Sequence, residues 1–490
     1  MPKYYYNEKG QLSKQEDPNN TVKEYTYDAL GNRQSFKLFR TGQAAPNIAL
    51  FYSYDDLYRL KEVKNASGTV LTKYGYDEKG NRRTLSHPKS GIEIDYTYND
   101  ANRITSLKHT RNGSVIALWK YIYDVDGNLL TKTNTTSSPA VTISYRYDRL
   151  GRLIEEDYPG WKKTKYTYDA YSNRTEMEVE GKTKDDSVSV TNYKYGLNNW
   201  LKKEVKKQGK VSETYNYRYD NNGNEIFRIW ERTTPTPDYP GTVQFARNRK
   251  YEFPTVYEWR HYNGFNQLIK INQDNKEIMY QYRGDGMRHS SEVRDLTETQ
   301  SKTTVYYWDG TNIVAEQTDG KSVKCYLRGI NLIAREMGGM VYYYIHNEHG
   351  DVAQIRGENG TCKASYEFDA FGNEKNLNKD DENPFRYCGE YYDVETKTVY
   401  LRNRDYDASI GRFTQEDTYW NPENMIYGDN PVRLNEREAD ENDLLGLNTY
   451  TYKPEVTAMM QSTNLYVYGI NSPICYQDLS GDFAISLERV

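Results

Sequence analysis

The sequence predicts an all-β chain, a long row of β-hairpins joined into one continuous sheet. Three observations carry that prediction. Fifty of the 490 residues are tyrosine. Many of them fall in one phrase, Tyr-x-Tyr-Asp-x-x-Gly-Asn-Arg, seen at residues 25–33, 74–82 and, without the final Arg, 121–128. Weaker copies begin at Tyr52, Tyr96, Tyr145, Tyr166, Tyr193 and Tyr217, and the step from one second Tyr to the next is 21 to 27 residues. A near-constant step of this size marks a repeat architecture, in which each unit buries its apolar face only against its neighbours.

Each part of the phrase has a physical reading. Tyr-x-Tyr places two rings on one face of a strand, because side chains alternate with period two. Tyr forms strands well, its ring packing while its hydroxyl finds water or a hydrogen-bond partner. Asp-x-x-Gly-Asn is a turn: the Asp carboxylate bonds its own backbone downstream, and Gly and Asn tolerate positive φ. The Arg or Leu that follows begins the return strand. The repeated Tyr and Asp positions are thereby read as packing and turn residues.

The hairpins run regularly from Met1 to about Asn224. A Pro-rich break follows at 231–257, with Pro235, Pro237, Pro240 and Pro254, and is read as a loop inserted into the array. The repeat resumes at Tyr262 and Tyr280 and reaches about residue 345, which defines a repeat region of 1–345. Nothing predicts a substantial helix; the best stretch is the charged segment Glu436–Leu445.

Composition narrows the classes of function. The apolar fraction is 36% and the mean hydropathy −0.98, low for a solid core unless the tyrosines supply it. A large sheet with wet faces, or a hollow shell, suits this balance. The net charge of −5, with signs interspersed, offers no basic stripe for nucleic acid. No apolar run of about 18 residues is present, which excludes a helical membrane span. The start, Met1–Gly10, lacks the features of a signal peptide and begins inside a repeat. Repeat arrays need capped ends, so the chain is expected to be a fragment of a longer polypeptide or to have its first strand covered by another chain. Cys325, Cys362, Cys388 and Cys475 form no CxxC pair and read as buried thiols. His346 and His349, three apart in a strand or turn, do not converge on a metal. No metal and no cofactor is expected.

The last third changes character. Asn383-Pro384-Phe385-Arg386-Tyr387-Cys388-Gly389-Glu390-Tyr391-Tyr392-Asp393 is followed by Val399-Tyr400-Leu401-Arg402-Asn403-Arg404-Asp405-Tyr406-Asp407 and Gly411-Arg412-Phe413-Thr414-Gln415-Glu416-Asp417. Asn464-Leu465-Tyr466-Val467-Tyr468 and Asn471-Ser472-Pro473 come later. This ordered series resembles the C-terminal core of the bacterial Rhs/YD-repeat family, whose members include wall-associated contact-dependent toxins of Gram-positive bacteria and the C component of ABC toxin complexes. The segment Glu416–Pro422 resembles the versions found in Firmicutes.

The resemblance implies more than the residues do alone. The repeats would wind into a hollow shell or part of one, with a core at 346–482 curling inward to plug it. A C-terminal toxin would be encapsulated and released by an aspartyl autoprotease within the core. The family's catalytic pattern falls on Arg412, Asp417 and Asp478, and its scissile bond on Asp482–Phe483. This chain departs from the pattern in three places: Thr418 and Leu479 stand where proline is usual, and Asp482 puts a charge where an apolar residue is usual. Only residues 483–490 follow the cut, a remnant tail without a toxin domain, so the chain reads as a container whose cargo is absent.

The partners implied are that toxin, its immunity protein and a capping or upstream N-terminal portion. The location implied is secreted, or cell-surface and cell-wall associated. Two other readings remain at this stage: a cell-surface module binding polysaccharide through exposed Tyr and Trp, and an inactive structural remnant. Asp417, Asp478 and Asp407 can each also be read as turn residues like those of the repeats.

Overall fold

The computed structural model describes residues 2–18, 21–40, 43–136, 138–181, 188–233, 256–273, 275–298, 300–375, 377–378, 381–421, 424–426, 432–433, 452–453, 455–482 and 484–486. The fold is all-β, as the repeat predicts. Thirty-one strands, from Lys3–Tyr6 to Cys362–Ser365, join in one sheet. Each pairs antiparallel with the next along the chain. Pairing continues past residue 345 through Val352–Gly357 and Cys362–Ser365. Of the expected insertion, residues 234–255 lie outside the described residues, and the strands Glu225–Thr233 and Val256–Tyr262 that flank them pair directly. The segment Glu436–Leu445 also lies outside them. The described α-helix is Val456–Thr463, a short element with β-branched ends that gave little helical signal.

Each turn forms for the reason its residues suggest. Oδ1 of Asp28 accepts the N–H of Leu30 at 3.0 Å and of Asn32 at 2.8 Å, while Asn32 Nδ2 donates to Oδ2 at 2.9 Å. Gly31 sits at φ +96°, where a Cβ would be strained. The ladder slips by one residue beside the second Tyr, so Tyr27 faces Arg33 and Tyr76 faces Arg82. Such bulges sharpen local twist.

The two tyrosines then do different work. The first turns inward and is buried, as at Tyr25, Tyr74, Tyr96, Tyr121, Tyr145 and Tyr166. The second reaches sideways. Tyr27 donates to the carbonyl of Leu12, Tyr54 to Arg33, Tyr76 to Leu60 and Tyr98 to Arg82, at 2.7 to 2.9 Å. Tyr123, Tyr147, Tyr168, Tyr195 and Tyr282 do the same to Ile104, Leu129, Leu153, Arg174 and Leu268. The acceptor is always the residue that opens the return strand of the preceding hairpin. Hydroxyl and carbonyl satisfy one another where the sheet bulges.

The sheet also meets itself. Tyr25 Oη donates to Asp309 Oδ1 at 3.2 Å, Arg33 forms an ion pair with the same carboxylate, and Arg40 donates to Gln317 Oε1 at 2.7 Å. The ring of His87 lies 4.9 Å from that of Tyr343, and Tyr121 donates to Glu348 at 2.7 Å. Leu38, Leu50, Val63 and Leu107 share one apolar cluster with Ala315, Leu327, Ala334 and Ile345. Here the inner face is occupied by packed side chains.

Residues beyond the sheet pack against its strands as well. A four-stranded sheet forms from Tyr391–Asp393, Thr398–Tyr400, Asp405–Asp407 and Arg412–Phe413. Arg288 is almost wholly buried between the rings of Tyr280 and Tyr400, its guanidinium 4.0 Å from each centroid and its Nη1 2.8 Å from Asp393. Lys162 pairs with Asp369, Arg228 with Asp407, and Phe371 packs edge-on against Tyr166.

Replacing Tyr98 by Phe removes one lateral bond and leaves the Arg82 carbonyl unpaired. It should lower stability by about 1–2 kcal/mol, read as a lower urea midpoint, while Phe at exposed Tyr171 leaves the midpoint unchanged. Equal midpoints for the two variants would contradict the role assigned to the second tyrosine.

Candidate active site

The hairpin of Asp405–Asp407 and Arg412–Phe413 positions the candidate groups. Arg404 stands at its entrance, buried, with its guanidinium 3.6 Å from the centroid of the Phe413 ring. Its Nη1 donates to the Leu465 carbonyl at 2.9 Å and its Nε donates to the Gly481 carbonyl. Its Nη2 lies 2.8 Å from Asp417 Oδ2 and 3.3 Å from Asp478 Oδ2. The two aspartates, 61 residues apart in sequence, thus meet on one guanidinium nitrogen.

Each carboxylate is also held by backbone. Asp417 Oδ1 accepts the N–H of Tyr419 at 2.8 Å, and its own N–H donates to the Leu465 carbonyl at 3.1 Å. Asp478 Oδ1 accepts the N–H of Gly481 at 2.7 Å and of Asp482 at 3.1 Å. Both are therefore turn aspartates of the repeat kind and members of a buried charged cluster at once.

The turn 478–482, where the resemblance implies proline at the place of Leu479, is held from outside. Arg402 Nη1 donates to the Leu479 carbonyl at 2.7 Å, and the Asn403 N–H donates to the Ser480 carbonyl at 3.3 Å. Gly481 sits at φ +80°, and a Cβ there would come within 2.8 Å of the Leu401 carbonyl oxygen. Two arginine side chains, one backbone N–H and a glycine restrain the backbone that proline's ring would otherwise restrain. The short strands Tyr476–Gln477 and Ile485–Ser486 pair across this turn. Of the expected scissile pair, Asp482 is described, and Phe483 lies outside the described residues.

Arg412, the arginine that the resemblance implies, is placed away from the two carboxylates. Its Nη2 donates to the Asn199 carbonyl at 2.7 Å and its Nη1 to Asn173 Oδ1 at 3.3 Å. Its guanidinium lies 4.9 Å from the rings of both Tyr195 and Tyr466. Arg412 ties the core to the repeats, and Arg404 faces the carboxylates. The two arginines flank one hairpin, and only the direction in which each leaves it separates their roles.

Burial sets the charge state of the pair. It pushes Asp417 up to about 7, against the opposing pull of Arg404 and with further upward pressure from Asp478 and Asp482. Burial likewise pushes Asp478 up to about 6, against Arg404 and the Gly481 N–H. Two close carboxylates sharing one cation hold a proton near neutrality, the state that general acid–base chemistry requires.

A second buried cluster joins His349, Asp351 and Cys388, whose potential ligand atoms lie within 4.8 Å of one another. His349 Nδ1 is 2.8 Å from Asp351 Oδ1 and its Nε2 is 2.7 Å from the Pro473 carbonyl oxygen. Both partners are acceptors, so both ring nitrogens carry protons; in accord with this, Asp351 and Cys388 hold the imidazole well above its usual range against the effect of burial. As arranged, the cluster is a buried, hydrogen-bonded His349–Asp351 pair with the Cys388 thiol beside it. His346 diverges from the cluster, and burial pulls it down to about 3. All four cysteines are free; Cys388 and Cys325 are buried, Cys475 is half-buried, and Cys362 is exposed, contrary to its reading as a buried thiol.

Sheet and site together define a Tyr-Asp hairpin repeat protein with an arginine-linked aspartate pair in its C-terminal core. Residues 46–178 match the teneurin YD-shell family and residues 6–35 the RHS repeat. The chain is 27% identical over 385 residues to the tRNA3(Ser)-specific nuclease WapA of Bacillus spizizenii, covering 75% of this chain and 14% of that protein. It is 22% identical over 449 residues to the double-stranded DNA deaminase toxin A of Burkholderia cenocepacia, covering 84% of this chain and 28% of that one. Among solved structures, the crystal structure of TcdB2-TccC3 aligns over 98% of this chain and 28% of that chain, with TM-score 0.41 and 14% identity. Residues 6–35 and 46–178 thus match Rhs/YD-type repeat models, and the chain spans less than a third of the length of these relatives.

The raised carboxyls have a thermodynamic consequence with a definite sign. Unfolded aspartates titrate near 4, so between about pH 4 and 7 Asp417 and Asp478 bind more protons in the folded chain and their contribution to stability falls as pH rises. In Asp417→Asn that fall should be shallower by roughly 2 kcal/mol, measured as urea midpoints at pH 4.5 and 7.5. An identical pH dependence in the variant would mean that Asp417 ionises freely in the fold.

Proposed function

We propose that this chain is the repeat-and-core part of an exported Rhs toxin-type protein. In this reading its core plugs the sheet from within, and the Asp417–Asp478 pair cuts the chain after Asp482, releasing the polypeptide that follows. The observation that carries the reading is the meeting of both aspartates on Arg404 beside a restrained turn that ends at Asp482. Relatives named as a nuclease and as a deaminase toxin support the toxin setting. Contacts of Phe371, Asp369, Asp407 and Arg412 with the repeats support an inward-packed core. Among the described residues no helix is long and apolar enough to cross a membrane. An immunity protein and a cell-wall location belong to the same proposal.

The chemistry balances as a hydrolysis. Near neutral pH the pair carries one proton. The ionised carboxylate takes a proton from water as the water oxygen bonds to the carbonyl carbon of Asp482. The protonated carboxyl gives its proton to the carbonyl oxygen, and a neutral tetrahedral diol forms. Collapse breaks the C–N bond, the nitrogen of Phe483 takes up a proton, and the products are a carboxyl-terminal Asp482 and an amino-terminal Phe483. Arg404 stabilises the charge that remains on the pair.

Intact mass of the folded chain should show scission between Asp482 and Phe483. Asp478→Asn and Asp417→Asn should each slow it by about a hundredfold or more. A folded wild-type chain that stays whole would defeat the self-cleavage reading. It would leave a surface-binding module, for which the favourable observation is the half-exposed pair Tyr257 and Trp259 flanking Phe227, rings suited to stacking on sugars.

A further inference from the structure

Residues 402–404 grip the turn before the proposed cut one residue at a time. Arg402 takes the Leu479 carbonyl, the Asn403 backbone takes that of Ser480, and Arg404 takes that of Gly481. The next residue, Asp482, is held by its side chain: Asn403 Nδ2 donates to Asp482 Oδ2 at 2.6 Å. The Asp482 N–H in turn donates to Asp478 Oδ1 at 3.1 Å, so this residue touches both the clamp and the aspartate pair.

The charges around it do not balance. Arg402 is paired with Glu390 at 2.6 Å through the same nitrogen that holds the Leu479 carbonyl. Arg404 is then the guanidinium that faces Asp417, Asp478 and Asp482, with Glu416 adjoining Asp417 in sequence.

We propose that Asp482 is a third carboxylate of the site, supplied by the segment to be cut and received by Asn403, and that the two together select an acidic residue before the cut and set the pH range of cleavage. The inference rests on the self-cleavage reading. Asn403 is a positioning residue here: its amide aims the side chain of residue 482 without touching the scissile carbonyl. When ionised, Asp482 disfavours ionisation of its neighbours: its charge pushes Asp417 upward, and on Asp478 the same push is opposed by the Asp482 N–H, while burial raises the Asp482 carboxyl itself against Asn403 and Arg404. The proton that the pair needs is then retained to higher pH than two carboxylates beside one arginine would retain it. An acidic residue at a position where the family is usually apolar becomes a functional feature of this chain.

The test is the cleavage rate of the full chain against pH in wild type, Asp482→Asn, Asp482→Leu, Asn403→Leu and the double Leu variant. Asp482→Asn preserves shape and removes charge, so the alkaline limit of cleavage should fall by about one pH unit. Asp482→Leu and Asn403→Leu should each slow cleavage roughly tenfold, and the double variant should lose less than the product of the two, as coupled partners do. An Asp482→Asn profile identical to wild type, or fully independent Leu effects, overturns the inference while leaving self-cleavage intact. A folded wild type that never cleaves overturns both. If a Leu variant does not fold, the Asp482→Asn profile decides alone.

Discussion

One lateral hydrogen bond organises the repeat array. In nine hairpins the second tyrosine of the Tyr-x-Tyr pair donates its hydroxyl to the carbonyl that opens the return strand of the hairpin before. That carbonyl lies where the ladder slips by a residue and strand pairing leaves it without its regular partner. Each bond is worth only about 1 kcal/mol, but an unpaired buried carbonyl costs more. The bond is possible only if successive turns stand in one register, so the tyrosine that closes each hairpin also spaces it from its neighbour. Twist at every bulge then accumulates in one direction along the sheet.

That accumulation is what brings distant residues together. Asp309 receives Tyr25 and Arg33, and Glu348 receives Tyr121 and Lys132. These are buried or half-buried pairs whose value lies as much in specifying one arrangement as in stabilising it. Arg288, held between two tyrosine rings and two carboxylates, does the same for the core. Removing either carboxylate would leave a buried cation short of a partner, so the core has one acceptable seat on the repeats. The strand pair that carries Arg404 and Arg412 inherits its position from that seat, with Arg412 bonded to the turns at Asn173 and Asn199.

The sequence made the array legible because its signals are local. Period-two tyrosines, an Asp three places before a positive-φ Gly, and a near-constant step all act at the scale of one hairpin. The site was legible only through resemblance. Asp417 and Asp478 look like any other turn aspartates, and their side chains do make turn bonds. What sets them apart is a shared guanidinium, and no local rule tells Arg404 from Arg412 at the two ends of one hairpin. Asn403 left no signal either, because its role depends on Asp482 being brought back to it by the turn at Gly481. Leu479 stands where the resemblance implies proline, and the bonds that restrain this turn come from residues 402–404, outside the turn's own sequence.

The account therefore depends on which arginine serves the aspartate pair. The direct measurement is the time course of intact mass for Arg404→Gln beside Arg412→Gln, each verified as folded. The structure predicts that Arg404→Gln stays whole, since its carboxylates lose their shared cation, while Arg412→Gln still yields the fragment ending at Asp482. Scission of Arg404→Gln at the wild-type rate, or its loss in Arg412→Gln alone, would contradict the arrangement described.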